Sequence, residues 1–388
     1  MAKWNYIKIG DVCTVERGGS PRPIDKFITD DPNGINWIKI GDATDSMYIT
    51  ETAQKIIPEG MKKSRYVQPG DFLLSNSMSF GRPYILKIDG CIHDGWLVLR
   101  DNGGVFDKRF LYYYLSSPST YQKFKNMAVG GVVNNLNSDM VRGVTVPIPK
   151  MEEQIEIVQT LDNVSNLIFL RKQQLAKLDE LVKARFVELF GDPVSNPHGY
   201  SKVPLSELAD IKIGPFGSLL HKEDYVANGH ALVNPSHIVD GKISIDDELT
   251  VSDEKFRELS AYHLQVGDVV MGRRGEMGRC AVVQTGGLLC GTGSLLIRTK
   301  GEVTADYLQK IISFPSFKKA IEDMAVGQTM LNLNVPIVSR FQIIQPPIEV
   351  QKAYYTFVEQ TNKSKVAIQK AVDEAQLLFD SLMQKYFG

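Results

Sequence analysis

The chain has 388 residues, 43% of them apolar and 23% charged, and its formal net charge is -1. The length is too great for one ordinary hydrophobic core, and the near-neutral charge excludes binding to nucleic acid through bulk charge alone. No apolar run approaches the roughly 20 residues of a membrane span, and no secretory signal pattern is present, so a cytoplasmic protein is expected.

Residues 1–150 are expected to form a first domain of the α+β class, which carries 19 Lys+Arg against 15 Asp+Glu. Short runs rich in strand-forming residues, separated by Gly, Asp, Asn and Pro, lie at 36–40, 72–75, 84–88 and 96–99. An amphipathic helix is predicted at 110–128.

Two loops of this first domain carry side chains that can read DNA: residues 17–22, and residues 75–82 after a Gly70-Asp71 turn and an apolar strand. Arginine can pair with the O6 and N7 atoms of guanine and asparagine with N6 and N7 of adenine, while serine reaches phosphates. The candidate DNA-binding residues of this domain are Arg17, Ser20, Arg22, Lys39, Asn76, Ser77 and Arg82.

Residues 151–191 are predicted to form a long central helix, because Met151 to Phe190 contain no Pro or Gly and Gly191-Asp-Pro193 then ends the helix. Its apolar side chains recur at alternating steps of four and three residues, which is typical of a coiled-coil seam. The helix-pairing residues expected here are Ile157, Leu161, Val164, Ile168, Leu175, Leu178, Val182 and Leu189.

The second half of the chain repeats the first at a shift of about 197 residues. Tyr66-Val-Gln-Pro-Gly-Asp aligns with His263-Leu-Gln-Val-Gly-Asp, and Met127-Ala-Val-Gly aligns with Met324-Ala-Val-Gly. A one-residue loop insertion near position 94 interrupts the shift only briefly. Residues 192–347 are therefore predicted to form a second α+β domain built like the first. Its candidate DNA-binding residues are Lys212, Ser218, Asn234, Arg273, Arg274 and Arg279, of which the Arg273-Arg274 pair is the best candidate.

Residues 348–388 are predicted to form a second long helix, in the same phase as the first. Its helix-pairing residues are Val358, Ile368, Val372, Phe379 and Leu382. The polar Thr361 and Lys365 also fall on this seam, so close pairing near the helix start requires a partner that covers them. Pairing of the two helices, in antiparallel orientation, buries both apolar stripes and is favoured over two independent amphipathic helices that each lie on their own domain.

The sequence predicts no catalytic residue and no metal site. It contains neither a GxxxxGK[ST] phosphate loop nor the FxGxG of a self-contained methyltransferase. The acidic run 246–248 is more typical of a surface loop than of a metal-nuclease cluster. The six histidines lack metal-binding spacing, and Cys13, Cys91, Cys280 and Cys290 have no CxxC spacing, so reduced thiols are expected.

Several short motifs, each present in order and twice, resemble those of the specificity subunits of type I restriction-modification systems, and the resemblance covers the entire chain. They include the proline-rich entry Val146-Pro-Ile-Pro149 with Glu153-Gln154, and the Phe190-Gly191 exit that recurs at Phe387-Gly388. The loops Gly18-Gly-Ser-Pro21 and Gly214-Pro-Phe-Gly-Ser218 complete the set.

This resemblance implies two tandem homologous α+β target-recognition domains, separated by two long α-helices in an antiparallel coiled coil with pseudo-two-fold symmetry. Each domain would read one half of a bipartite asymmetric DNA site, and the paired helices would set the spacing. Two methyltransferase subunits would dock on the helices and bind S-adenosylmethionine, so that no cofactor belongs to this chain, and restriction subunits would join for cleavage.

Two other functions stay open at this point. The chain could be a duplicated DNA-acting enzyme with an unrecognised active site, or a helical interaction scaffold without any role on nucleic acid. The scaffold would leave the repeated Arg, Asn and Ser loops without a purpose.

Overall fold

The computed structural model of the chain describes residues 4–76, 81–128, 135–325 and 332–388. The chain divides into two compact units: Met1–Gln173 with Gln369–Gly388, and Gln174–Ile368. The mixed α+β class predicted for both halves is confirmed. Among the described residues, no helix is both long and apolar enough to cross a bilayer.

The first unit is built from short strands and helices ahead of the first long helix. Its strands are β1 (Asn5–Lys8), β2 (Cys13–Arg17), β3 (Ile28–Thr29), β4 (Ile35–Ile38), β5 (Tyr48–Ile49), β6 (Lys55–Ile56), β7 (Arg65–Val67), β8 (Phe72–Ser75), β9 (Pro83–Leu86), β10 (Gly90–Ile92), β11 (Trp96–Asp101) and β12 (Thr145–Ile148). Its helices are α1 (Ile9–Val12), α2 (Pro58–Met61), α3 (Lys108–Ser116), α4 (Pro118–Ala128), α5 (Ser138–Arg142) and the start of α6 (Met151–Phe190).

The second unit repeats this arrangement. Its strands are β13 (Lys202–Pro204), β14 (Ala209–Ile213), β15 (Tyr225–Val226), β16 (His230–Val233), β17 (Ile238–Val239), β18 (Lys242–Ile243), β19 (Thr250–Val251), β20 (His263–Leu264), β21 (Val269–Gly272), β22 (Cys280–Val282), β23 (Leu288–Cys290), β24 (Ser294–Thr299) and β25 (Gln342–Ile344). Its helices are α7 (Leu205–Leu208), α8 (Asp253–Glu258), α9 (Ala305–Ile312), α10 (Pro315–Ala325), α11 (Val335–Ser339) and the start of α12 (Ile348–Phe387).

The sheets of the two units have matching strand orders. The order β2-β11-β8-β9 in the first unit corresponds to β14-β24-β21-β22 in the second, and β6-β4-β10-β7 corresponds to β19-β16-β23-β20. In both units the pair β4/β10 or β16/β23 is parallel, whereas the neighbouring β11/β8 and β24/β21 pairs are antiparallel. The duplication seen in the sequence is therefore a duplication of topology.

Strand β8 shows why these strands are apolar along their whole length. Alternate residues of a strand point to opposite faces of the sheet. Phe72 and Leu74 enter the core that contains helix α3, whereas Leu73 enters a separate core with Trp96 of β11. Because both faces are covered, the run has no polar alternation, and the same holds for β21 in the second unit.

The two long helices are 40 residues each, and each contributes one part to each unit. In the first unit, Leu161 of α6 and Met383 and Phe387 of α12 lie in one core with Phe110 of α3. The rings of Phe110 and Phe387 are 5.5 Å apart in edge-to-face geometry, which is a favourable aromatic arrangement.

In the second unit, the contacts between α6 and α12 show the antiparallel direction. Tyr354 Oη donates to the carbonyl oxygen of Val182 (3.3 Å), and its ring contacts that of Phe186 (5.5 Å). Further along α12, Lys365 Nζ donates to Asp179 Oδ1 (2.5 Å). As the residue numbers along α12 rise, those of their partners on α6 fall, so the two helices run in opposite directions.

Burial along both long helices follows the predicted seam. The helix-pairing residues expected from the sequence are all buried or half-buried, whereas most residues between them are exposed. Thr361 is buried, and its hydroxyl donates to the carbonyl of Phe357 (2.9 Å), so this polar side chain does not need a further partner. Lys365 lies at the edge of the seam and pairs with Asp179.

Candidate nucleic-acid interface

In each unit, a turn between two strands is the point where three chain segments meet. In the first unit, residues 92–95 accept and donate main-chain hydrogen bonds: Asn76 N donates to Gly95 O (2.9 Å), and His93 N donates to Ile38 O (3.0 Å). Gly18 N donates to Trp96 O, directly after the turn (2.9 Å). We call residues 17–22, 39, 76 and 92–95 the first loop edge.

The second unit has the same main-chain bonds at the corresponding turn, residues 290–293. Arg273 N donates to Gly293 O (2.9 Å), Gly291 N to Val233 O (3.0 Å), and Gly214 N to Ser294 O (3.0 Å). The second loop edge consists of residues 212–218, 234, 273–274 and 290–293. A common frame of main-chain bonds therefore places equivalent side chains in both units.

Glycine is required where the first segment crosses this turn. A Cβ atom on Gly18 would lie 2.2 Å from His93 O, and one on Gly214 would lie 2.0 Å from Gly291 O. No side chain fits at such distances, because the backbones themselves are in contact. The shared glycine of the two predicted loops is thus explained by close packing of the loop on the turn.

The frame is shared, but the side chains it carries differ between the units. Matching hydrogen bonds make the following pairs equivalent: Lys39 and Asn234, Asn76 and Arg273, and Asp94 and Thr292. Counted from the equivalent glycines, Ser20 corresponds to Phe216. Different donors and acceptors at equivalent positions are what two readers of different sequences need.

Asp94 is the centre of the first loop edge. Its carboxylate accepts a hydrogen bond from Ser20 Oγ (2.8 Å) and lies 3.5 Å from Arg22 Nη2. Its main-chain oxygen accepts from Arg17 Nε (3.0 Å) and from Asn76 Nδ2 (2.9 Å). Four of the predicted DNA-binding residues are therefore gathered around one residue that the sequence did not single out.

The charge state of Asp94 is set by its neighbours. Partial burial by itself raises the pKa of this carboxyl, but the hydrogen bond from Ser20 and the favourable electrostatic interactions with His93, Arg17 and Arg22 bring the pKa below its ordinary value overall. Asp94 is consequently ionised at neutral pH, and the first loop edge holds a fixed negative charge among positive ones.

The other predicted DNA-binding residues of the first unit do not contact Asp94 or lie outside the described residues. Lys39 Nζ donates to Gln54 Oε1 (2.7 Å). Arg82 is exposed and lines a cleft of about 470 Å³ together with Tyr84 and Tyr112. Ser77 lies outside the described residues.

Arg273 and Arg274, adjacent in sequence, differ in environment. Arg273 is half-buried, and its Nε donates to Leu333 O (2.9 Å), which fixes the direction of the guanidinium. Burial, and to a lesser degree the charge of Arg274, lower the pKa of Arg273, although an arginine stays protonated. Arg274 is exposed, and its side chain has no hydrogen bond or ion pair within the described residues.

Arg279 is already engaged inside the protein. Its guanidinium forms an ion pair with Glu276 (3.1 Å) and donates to Pro235 O (3.2 Å). Hydrogen bonds from Lys318 and Arg279 lower the pKa of Glu276, which keeps this carboxylate ionised. Arg279 lines a cleft of about 370 Å³ that corresponds to the cleft beside Arg82.

The remaining predicted residues of the second unit lie near the second loop edge. Lys212 Nζ donates to Ala261 O (3.1 Å) and lies over the ring of Tyr262. Asn234 caps a short helical turn at Pro235–His237, and Ser218 lies in another short helical turn, Gly217–Leu219.

Sequence reasoning missed three positions of this interface: Asp94, Thr292 and Phe216. The first two lie where the one-residue insertion interrupts the repeat, so the alignment did not pair them. Phe216 is 60% exposed on the second loop edge. An exposed aromatic next to the glycines of a predicted DNA loop was a signal that the sequence did contain.

Comparison with known proteins points to one family. Residues 1–180 match the family model described as the type I restriction modification DNA specificity domain. Over nearly its whole length the chain is similar to type I restriction enzyme specificity subunits.

Two relatives are similar to this chain over nearly its full length. The chain is 20% identical over 395 residues to the type I restriction enzyme MjaVIII specificity subunit of Methanocaldococcus jannaschii, a match that covers 95% of this chain and 90% of the relative. It is 22% identical over 411 residues to the MjaIX specificity subunit of the same organism, covering 98% and 92%.

Solved structures of specificity subunits share the fold over the entire chain. A chain from a study of complex assembly and conformational transition of the type I R-M system has a TM-score of 0.64 at 18% identity, covering 100% of this chain and 98% of that one. The HsdS subunit of Thermoanaerobacter tengcongensis has a TM-score of 0.52 at 19% identity, covering 100% and 97%. The S subunit of M. genitalium has a TM-score of 0.54 at 14% identity, covering 100% and 96%.

Proposed function

We propose that this specificity subunit reads a bipartite, asymmetric DNA site, with one half contacted by the first loop edge and the other by the second. The observation that carries the proposal is the common main-chain frame with different side chains. The buried Asn76 of the first unit is replaced by the half-buried Arg273 of the second, and the first unit instead presents the exposed Arg22 beside Asp94. The two half-sites are therefore expected to differ in sequence.

The chain itself is proposed to be non-catalytic and to bind no cofactor. Adenine methylation with S-adenosylmethionine would be carried out by two methyltransferase subunits, and cleavage would require restriction subunits in addition. The residues argued to face DNA are arginine, asparagine, serine and lysine side chains held by hydrogen bonds, a set suited to recognition. The duplicated-enzyme and scaffold alternatives both remain outcomes of the experiment below.

The exposed faces of the two long helices are proposed as the docking surface for the methyltransferase subunits. On α6, Leu167 and Leu170 are 45% and 59% exposed, and their spacing of three residues puts them on one face. On α12, Leu377 and Val366 are about 70% exposed. Exposed apolar side chains on a helix outside its seam are typical of a surface that another protein covers.

A pair of substitutions tests this docking surface. Leu167→Ala with Leu170→Ala is expected to weaken copurification of the methyltransferase subunits with this chain. The matched control is Lys172→Ala, an exposed residue of the same helix on a different face. Equal copurification of the double variant and the control would refute this assignment of the surface.

The principal test is methylation mapping in cells that contain the methyltransferase subunits, with and without this chain. We expect adenine methylation at one bipartite motif only when the chain is present. Arg22→Ala should relax one half of the motif and Arg273→Ala the other. Arg257→Ala, a change at an exposed arginine of helix α8 that is not part of the second loop edge, should leave both halves unchanged.

Three outcomes would contradict the proposal. Methyl transfer by the purified chain alone, with DNA, S-adenosylmethionine and magnesium, would support the duplicated enzyme. An unchanged methylome after removal of the chain would support a scaffold role. Relaxation of the same half-site by Arg22→Ala and Arg273→Ala would refute the division of labour between the units.

A further inference from the structure

The first loop edge contains an acidic residue at a surface that the proposed function places against DNA. Asp94 is 29% exposed at its side chain, and the equivalent position of the second unit is the neutral Thr292. A carboxylate near phosphates is repelled, which lowers the affinity for DNA. A carboxylate at this position therefore needs a compensating role in the placement of neighbouring side chains.

The contacts of Asp94 show which neighbours it can act on. Gly95 N donates to His93 Nδ1 (3.0 Å), so the proton of a neutral His93 is on Nε2, which lies 3.0 Å from Asp94 Oδ1. Ser20 Oγ donates to the same oxygen. These two donors fix the plane of the carboxylate and leave Oδ2 directed to Arg22 Nη2 at 3.5 Å.

Arg22 is the residue that depends most on this anchor. Its side chain is 83% exposed, and Asp94 supplies its ion pair within the described residues. An exposed arginine without an anchor samples many rotamers and attaches readily to phosphate, which gives affinity without sequence information. With a carboxylate oxygen 3.5 Å away, the guanidinium samples fewer directions and part of its charge is cancelled, which favours a bidentate base contact over a phosphate contact.

Resting on the proposed function, we propose that Asp94 is a positioning residue for DNA reading by the first unit, which orients Arg22 toward a base and weakens its attachment to phosphate. In the second unit an arginine is oriented by the main chain and not by a carboxylate, because Arg273 Nε donates to the main-chain oxygen of Leu333. Specific and non-specific binding should therefore respond to loss of the Asp94 charge in opposite directions.

The test is Asp94→Asn in the complex of this chain with its methyltransferase subunits. The amide keeps the shape and can still accept from Ser20, but it loses the charge. Binding is measured by competition on a duplex with the mapped methylation motif, on duplexes with single changes in either half, and on a random-sequence duplex. The half-site of the second unit is defined as the one that Arg273→Ala relaxes.

We expect discrimination in the first half-site to fall by about tenfold, the size of a good bidentate base contact. Affinity for the random duplex should rise, and the slope of log affinity against log salt should steepen by roughly 0.9, the value of one additional phosphate contact. Discrimination in the second half-site should not change, which also shows that the variant is folded and assembled. Glu59→Gln removes an equal charge from an exposed helix of the same unit and should change neither half-site.

A double-variant comparison separates positioning from direct base reading. If Asp94 acts through Arg22, Asp94→Asn should have no further effect on discrimination in the Arg22→Ala background. An equal effect in both backgrounds would overturn the positioning role, as would equal losses of specific and random-sequence binding. Absence of any half-site discrimination in the unsubstituted complex would instead refute the proposed function.

Discussion

Gln154 and Gln351 make equivalent hydrogen bonds from the first turn of the two long helices. Each side chain is fully buried, and its amide donates to the carbonyl of the proline five residues earlier, at 3.1 Å and 2.9 Å. The side-chain oxygen accepts from the main-chain nitrogen of Asp107 in the first unit and of Thr304 in the second, both at 2.9 Å. These glutamines fix where each helix begins relative to helix α3 or α9.

Replacement of Gln154 by leucine should therefore destabilise the fold without changing DNA preference. Loss of the side chain leaves buried main-chain groups without partners, at about 1–3 kcal/mol for each such group, so a loss of roughly 2–4 kcal/mol is expected. Urea unfolding measures it. Gln159→Leu, the same change on the exposed surface of the same helix, is the control, and equal stability of the two variants would refute the role of Gln154.

Arg273→Ala and Arg274→Ala should have different effects on binding, although both residues were predicted from the sequence to have one role. Arg273 is fixed by Leu333 O, so its loss should cost about 1–3 kcal/mol on one half-site and relax the sequence read there. Arg274 is exposed and has no anchoring partner among the described residues, so its loss should weaken binding to all duplexes and reduce the salt slope by about 0.9. Competition binding at two salt concentrations distinguishes these outcomes, and identical profiles for the two variants would contradict them.

The repeat and the helix seam could be predicted from the sequence because both are periodic patterns of apolar residues. The role of Asp94 could not, since its partners Ser20 and Arg22 lie more than 70 positions away and meet it only through the fold. Arg279 illustrates a missed local signal. Glu276 lies three residues before it, and that spacing alone favours the ion pair that occupies this arginine.

Cys280 and Cys290 should be unreactive in the folded protein. Burial raises the pKa of each thiol to about 12, so neither forms a thiolate near neutral pH. At pH 8, a thiol reagent should label both residues only after unfolding in urea. Labelling of either in the native protein at the rate of a free thiol would contradict the buried placement.

The same pKa shifts predict a loss of stability at alkaline pH. The unfolded thiols lose their protons near pH 9 while the folded ones retain them to about pH 12, so the free energy of unfolding falls as pH rises through that window. At pH 10 the loss should be roughly 1 kcal/mol for each thiol. Cys290→Ala should show a smaller decrease between pH 8 and pH 10 than the unsubstituted chain, and an equal decrease would exclude this residue as a cause.

The proposal that the helices set the spacing of the bipartite site can be tested through their length. A heptad inserted between Gln173 and Gln174, with a second between Ile368 and Gln369, lengthens both helices at the division between the units and keeps the seam in phase. Seven residues add roughly 10 Å at about 1.5 Å per residue. At about 34 Å for 10 base pairs, this corresponds to roughly three base pairs.

Methylation mapping of this variant should therefore show the two half-site sequences unchanged and the unread segment longer by about three base pairs. A five-residue insertion at the same two positions is the control, because at about 100° per residue it rotates the seam by roughly 140° and should abolish methylation rather than shift the spacing. The half-sites serve as an internal control, since the loop edges are untouched. An unchanged spacing in an active heptad variant would show that something other than the helices determines the distance between the halves.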